Sequence, residues 1–424
     1  MEQAMRFKME YQGFTAIYNK TYFFIYNNWE LCLYPSSGLN QDFECLMKHR
    51  QTERNEFVAN EQIDGYTIER QKISFCGSLK SVNDVGILIY DIDYFLIGED
   101  YIQNINVEQV YVYSKLFNML FSSRKGVGVN QEHQIELHEF YKELDFGSFL
   151  KDRIRVVGSS SEYASLFDVV PFRYENFIGF KADNYFDLEK CKKLYFALKN
   201  SIKLILNQTN VGVFISRLIY TKNIENNKEK NYKGYITLVI NDENDGHGVS
   251  AKKNHRYIQL LDNNFAKLIE NVCNADLYIL HVTDRKSDKQ IDIPRMILLF
   301  AAIEFLSKKN QEEYKNKYEN ERFASKLKRF EFRSSINIIY NETKDILIIN
   351  SPIEINAMVD KLVHLRHCVS HGDLNIKIEP IDIDYLNISE EMIYILSLKN
   401  CGYDIESIKK CYSIVFNKKT SEIL

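Results

Sequence analysis

The sequence predicts an α+β protein, with a β-rich N-terminal half followed by an all-helical C-terminal bundle. Three observations lead there. Up to about residue 245 the chain is dominated by short runs rich in β-branched and aromatic residues. The stretch Asn241-Asp242-Glu243-Asn244-Asp245-Gly246-His247-Gly248 is polar, carries two glycines and has no periodicity, which marks a boundary. Beyond it, apolar residues recur at intervals of three and four, the spacing of a helix with one buried face.

In chain order, Tyr66 to Cys76 and Val85 to Ile97 read as strand-forming runs, with Ser81-Val82-Asn83-Asp84 as a hairpin link. Phe186 to Gln208 reads as a helix, because Leu188, Cys191, Leu194, Tyr195, Leu198, Ile202 and Ile205 share one side. Val211 to Tyr220 and Tyr232 to Ile240 form a second pair of strands around a charged loop, Thr221 to Asn231. Helices are expected over His255–Asn274, Pro294 to about Tyr318, Ile353–His371, Ser389–Asn400 and Ile405–Phe416. The division is therefore 1–245, a β-rich region with room for two subdomains and a helix at about 186–208, and 250–424, a helical domain. No internal repeat or low-complexity tract is found.

Composition bounds the possibilities. With 424 residues the chain is too long for one ordinary core, and 45% hydrophobic residues can fill two or three. The 28 tyrosines, 27 phenylalanines and only five prolines belong to a folded chain. A formal net charge of -4 supplies no global field for nucleic acid, so any such contact must be local. From Lys315 to Arg333 there are seven basic and three acidic residues with Tyr318, Phe323 and Phe330 between them. That is the best local candidate for an RNA-contacting face, although a solvated charged helix explains the same pattern. The eight cysteines are scattered without a C-x-x-C pair, which argues against a zinc ribbon and for a reducing compartment. The first residues contain no apolar signal segment, and the strongest apolar run, Met296 to Ile303, falls far short of the roughly 20 residues that span a bilayer. The expectation is a cytoplasmic protein with no membrane partner.

The most specific chemistry lies at the end of the Ile353–His371 helix. Ser351 suits an N-cap, Pro352 the first helical position and Glu354 the third, as in a capping box, while Gly372 is a natural stop. Ile355, Met358, Leu362, Leu365 and Val369 form a buried stripe. Ser370, His367 and His371 fall on an arc turned away from it, and Arg366 lies at its edge. The Arg366 guanidinium can grip a phosphate with a two-pronged fork. The His371 imidazole can move a proton near neutral pH, and the partial negative charge at the helix C-terminus favours its protonated form. Arg366 and His371 diverge by about 140° around the helix, so a second copy across a two-fold axis would help to complete the site. Val359 and Val363, on the motif's arc, suit such a partner surface. His364, His367 and His371 share a face at metal-like spacing, but no further ligand is evident and no metal is expected. Cys368 suits the core or its flank better than a nucleophile. Glu304, a charge in the apolar helix around Phe300-Ala301-Ala302-Ile303, either pairs with Arg366 or faces solvent, and the solvent-facing reading is preferred.

The segment Leu362-Val363-His364-Leu365-Arg366-His367-Cys368-Val369-Ser370-His371-Gly372, with its R-x4-H spacing, and the earlier Ala302-Ile303-Glu304-Phe305-Leu306 resemble the HEPN superfamily, most closely the Apea-like HEPN group. The resemblance covers about 250–424. The β-rich half is similar in composition and order to the domain that precedes such domains in anti-phage proteins. His367 stands where an asparagine commonly follows the arginine. The resemblance implies a HEPN-like helical bundle and a metal-independent endoribonuclease acting as a homodimer, needing no cofactor. It further implies a defence toxin with an unknown phage-derived trigger and an N-terminal region that senses or regulates. RNA would be cut by its own 2′-OH, leaving a 2′,3′-cyclic phosphate and a 5′-OH. Arg366 and His371 would be catalytic, and His367 and Ser370 would bind the substrate or orient the other two. The competing expectation is a non-catalytic module that binds RNA or nucleotide, or dimerises. An enzyme needs both Arg366 and His371, whereas a scaffold tolerates losing His371.

Overall fold

A computed structural model describes residues 10–17, 20–36, 60–83, 86–102, 106–114, 116–117, 127–129, 135–137, 144–149, 153–164, 172–223, 231–241, 264–285, 291–318, 324–349, 354–372 and 377–418. The protein is α+β: strands dominate the N-terminal region, and eight helices are described from residue 188 onward. The chain divides into two compact units built from separate segments. The first comprises Met1–Ser114, Phe177–Cys191 and Val213–Asp245, and the second comprises Lys115–Asn176, Lys192–Gly212 and Gly246–Leu424.

The strands are β1 (Glu10–Ile17), β2 (Lys20–Asn27), β3 (Glu30–Pro35), β4 (Glu61–Thr67), β5 (Lys72–Val82), β6 (Leu88–Gly98), β7 (Val107–Tyr113), β8 (Val127–Val129), β9 (Ile135–Leu137), β10 (Leu144–Ser148), β11 (Arg155–Ala164), β12 (Phe172–Phe186), β13 (Ile215–Asn223) and β14 (Asn231–Ile240). In the first unit β6-β3-β2-β1-β4-β5 form an antiparallel sheet, and β5 returns to β6 to close a six-stranded barrel. Closure leaves no open edge among these six strands. Residues of period two point inward: Tyr22, Phe24 and Tyr26 of β2 are buried, with Phe75 and Phe95 facing them. Phe24 meets Phe75 edge-on at 5.3 Å and Tyr26 meets Phe95 at 5.2 Å. Such ring density demands a glycine nearby, since a Cβ on Gly13 would lie 2.7 Å from the Phe24 ring and 1.9 Å from the Tyr66 carbonyl oxygen. On its other edge β6 forks, pairing β3 through Leu88–Asp91 and β14 through Tyr94–Gly98. From β14 the sheet continues through β13 and β7 to β12.

Two turns differ from expectation. The β-rich run from Tyr66 to Cys76 is not one strand. β4 stops at Thr67, Arg70 adopts φ 65°, and the Thr67 N–H donates to the Gln71 carbonyl at 2.9 Å before β5 begins. The hairpin link expected at Ser81 starts at Asn83, whose side-chain oxygen accepts from the Ile87 N–H at 2.8 Å.

The second unit carries the β8–β9 and β10–β11 pairs. Its helices are α1 (Leu188–Leu206, counted here from Lys192), α2 (Phe265–Cys273), α3 (Leu280–Thr283), α4 (Ile293–Tyr318), α5 (Ala324–Thr343), α6 (Ile355–Ser370), α7 (Pro380–Asn400) and α8 (Ile405–Val415). The bundle is organised around α7, which packs against α4, α5, α6 and α8 and is buried on nearly every side from Tyr385 to Leu398. α7 begins nine residues before the expected Ser389. Pro380 occupies its first turn, and Glu379 and Asp382 form a capping box in which the Glu379 N–H donates to Asp382 Oδ2 at 2.9 Å. A glutamate cap and the exposed Ile381 and Ile383 hide this start from an apolar-spacing reading. α5 was not among the expected helices. The basic stretch Lys315 to Arg333 begins in the end of α4 and finishes in α5; residues 319–323, and the side chains of the stretch up to 330, lie outside the described residues. Among the described residues no helix is long and apolar enough to cross a membrane.

Burying α7 also buries Glu390, which holds two arginines. Arg295 Nη2 donates to Glu390 Oε2 at 2.5 Å, Arg285 Nη1 contacts Oε1, and Asn207 Nδ2 donates to Oε1 at 3.0 Å. Burial alone would raise this carboxyl's pKa, but the two guanidinium groups outweigh it and hold the carboxyl below its ordinary value. A buried ion pair adds little net stability while complete, but removing one partner strands a charge.

Candidate functional site

The motif helix α6 exists, with a later entry than expected. Glu354 is itself the residue leading into the helix, in an extended conformation, and Ser351 to Ile353 lie outside the described residues. Met358, Leu362 and Leu365 are buried as the spacing predicts, and Ile355 and Val369 are half-buried. Val359 departs from expectation. It is fully buried within this chain, because α4, α5 and α7 together cover a wider arc than a single stripe. It is therefore not available to a partner surface, whereas Val363 stays half-buried. The exit follows the sequence: His371 caps the helix, its N–H donating to the His367 carbonyl at 3.1 Å, and Gly372 leaves with φ 71°, a conformation that favours glycine.

Arg366 turns toward α4 and α5. Its Nε and Nη2 both reach Glu304 Oε1, at 2.7 and 2.6 Å, and its guanidinium carbon lies 5.1 Å from the centre of the Phe332 ring. Glu304 thus pairs with Arg366, correcting the solvent-facing reading. The correction is physical: α4 and α6 pack together, so a carboxylate at the edge of one faces the guanidinium at the edge of the other. Phe332 is buried and meets Phe300 edge-on at 5.5 Å, so the arginine rests on a fixed aromatic wall. Nothing in the sequence singled out Phe332, since its role depends on how α5 lies against α6. The side chains of Arg366 and Glu304 are 27% and 34% exposed, so the pair remains open to a ligand. Glu304 engages Nε and Nη2, and among the described residues the Nη1 donors are left for an anion.

The histidines gather on the helix end. The His367 and His371 rings lie 4.2 Å apart, centre to centre, at 68°. His371 and Ser370 are exposed and His367 is half-buried. Among the described residues Arg366 and His371 share no hydrogen bond or ring contact, in keeping with their divergence around the helix. His364 Nε2 lies 3.7 Å from Cys368 Sγ. No group of three His, Cys, Asp or Glu side chains among the described residues is arranged to hold a metal ion.

The arrangement offers an anchored cation, a proton-transfer group and a hydroxyl along the last turn and a half of one helix. No family model, curated protein or solved structure matches the chain.

Proposed function

We propose that the protein is a metal-independent endoribonuclease of the HEPN type, acting as a dimer and, following the resemblance to Apea-like HEPN domains, as a toxin in anti-phage defence. The observation that supports this most is the setting of Arg366. It is held by Glu304 and Phe332, keeps donors for a phosphate, and lies on the same helix end as His371. The separation of five positions between them corresponds to about 7.5 Å along the axis, a span that a bound phosphodiester and a long arginine side chain can bridge.

In this reading the 2′ oxygen of the RNA forms a bond to phosphorus while the bond from phosphorus to the 5′ oxygen breaks. His371 moves the proton, taken from the 2′-OH and supplied to the departing 5′ oxygen. Arg366 steadies the additional charge on the phosphoryl oxygens. His367, in ring contact with His371, and Ser370 orient the substrate or the imidazole. The nucleophile belongs to the substrate and already lies beside the phosphate, so proximity requires no metal-activated water. The test is to incubate RNA with the wild-type protein and with His371→Ala and analyse the new ends. Cyclic phosphate and 5′-OH ends from the wild type alone are expected.

A second reading is favoured by the same ion pair. With its side chain shared between Glu304 and Phe332, Arg366 would be a structural strut in a non-catalytic RNA-binding or dimerisation module. RNA that stays intact but bound, with binding indifferent to His371→Ala, would select it.

A further inference from the structure

Beyond the barrel, the strands β12, β7, β13 and β14 lie side by side, antiparallel throughout. Alternation gives this sheet two different faces. Val110, Val112, Ile178, Leu218 and Leu238 occupy one and are fully buried. On the other, the register aligns Phe177 with Tyr113, Lys181 with Gln109, Arg217 with Tyr111 and Thr237, Ile219 with Tyr235, and Thr221 with Lys233. The paired positions of this second face include three cations, Lys181, Arg217 and Lys233. In a chain of net charge -4, that is a local concentration of positive charge.

Arg217 is the centre of the arrangement. Its guanidinium carbon lies 5.2 Å from the centre of the Tyr113 ring and 5.7 Å from that of Tyr235. Tyr111 stacks on Phe177 at 4.2 Å and 21°. Arg217 is half-buried, yet among the described residues it makes no ion pair and no hydrogen bond. Two tyrosine rings fix its position while its N–H donors have no acceptor among the described residues, the state of an arginine prepared for an anion. Beside it Tyr235 is 42% exposed, and Lys233 is exposed in the next turn of the pleat.

An acidic side chain would satisfy Arg217 and Lys233 and leave the exposed Tyr235 ring unused. An apolar segment would cover that ring and strand the two cations. A phosphate carrying a flat base uses both. We propose that this face binds single-stranded nucleic acid, with a base stacked on Tyr235 and the adjoining phosphate held by Arg217 and Lys233. Paired bases in a duplex hide the ring faces that Tyr235 would need, so the surface selects single strands.

The test uses the full chain and fluorescence anisotropy. The probes are a labelled 2′-O-methyl oligouridine, which lacks the hydroxyl required for self-cleavage, a DNA oligothymidine, a duplex of equal length and an oligoglutamate. The 2′-O-methyl probe cannot be cut, and the Arg217, Tyr235 and Lys233 variants, which leave Arg366 and His371 intact, separate binding at this face from binding at that helix end. Binding of either single strand, at least about tenfold tighter than duplex or peptide, is expected, and the tighter strand names the source. Arg217→Ala and Tyr235→Ala should each weaken binding about tenfold, Tyr235→Phe should retain it, and Lys233→Glu, at an exposed position that spares the fold, should weaken it. The proposal is overturned if the wild type binds no single strand, if the peptide binds as tightly, or if Lys233→Glu and Tyr235→Ala both bind like the wild type.

Discussion

Arg366 and Glu304 form a one-sided ion pair in which Nε and Nη2 of the guanidinium both donate to the same carboxylate oxygen. Phe332 supports the guanidinium from α5, so contacts from two neighbouring helices set its position. This separates two properties that arginine and lysine do not share: one edge can be anchored while other donors remain for a ligand. Arg366→Lys should therefore fail to restore cleavage, despite keeping the charge. Arg366→Ala and His371→Ala should each abolish cleavage, with stability changing by about 1 kcal/mol or less because both groups are partly or fully exposed. Cleavage assays alongside thermal melts check this, and a wild-type rate in either alanine variant would remove the proposed site.

Glu304 invites its own test. If it positions Arg366, Glu304→Ala should lower cleavage by about tenfold to a hundredfold, comparable to the loss of other supporting contacts to a reactive group. Glu304→Gln should fall between it and the wild type, since the amide oxygen still accepts a hydrogen bond. Neither should cost more than about 1 kcal/mol of stability, as the pair is about one-third exposed. A faster Glu304→Ala enzyme would mean that the carboxylate competes with phosphate for the arginine, and the positioning role would be wrong.

What the sequence disclosed and what it hid follow from the range of the interactions. Met358, Leu362 and Leu365 were legible because helical periodicity is local, and so was Gly372 as a stop. Val359 was misread because a helical wheel assumes one buried stripe, whereas three neighbouring helices cover α6. The strands β5, β6, β13 and β14 announced themselves by composition. The return of β5 to β6 that closes the barrel did not, since pairing depends on register between distant segments. Glu390 carried no sequence signal either. Its partners Asn207, Arg285 and Arg295 come from three distant stretches and meet only after α7 is buried. The link between Glu304 and Arg366 was visible as an option, and only the packing of α4 on α6 decides it.

Dimerisation can be tested at two valines of the same helix with opposite expectations. Val359 is buried within the chain, so Val359→Asp should unfold or strongly destabilise it, because an unpaired charge would enter the core. Val363 is half-buried, so Val363→Asp should leave a folded protein. If α6 also meets a second copy, that variant should sediment as a monomer and lose cleavage although no catalytic group is touched. A wild-type protein that is fully active while monomeric at assay concentration would sink the composite site.

Chelation addresses the chemistry directly. The proposed reaction draws its nucleophile from the substrate, so cleavage should persist in excess EDTA. Loss of cleavage that a divalent ion restores would transfer the role of His364, His367 and His371 to metal binding.

Acid should weaken the bundle earlier than ordinary carboxylates alone would dictate, through His281. Its side chain lies in the interior, 1% exposed, in the field of Glu390, Arg285 and Arg295. Burial pushes its pKa down from 6.5 to about 4; Glu390 opposes that shift, and the two arginines reinforce it. In the unfolded chain His281 takes up a proton as pH falls through about 6.5, whereas in the folded protein it does so only near 4. The unfolded state therefore binds the extra proton across this window. Stability present in full above about 6.5 should decline as pH falls toward 4, by on the order of 3 kcal/mol. Glu390, held below its ordinary carboxyl value, adds a further loss only at the acidic end of that range and below. Denaturant titrations at pH 7.5, 6.5, 5.5 and 4.5 would trace the decline. His281→Phe, which keeps a flat ring near Tyr278 and cannot titrate, should show a shallower slope between pH 6.5 and 4.5. Parallel stability curves for the variant and the wild type would rule out His281 as the source.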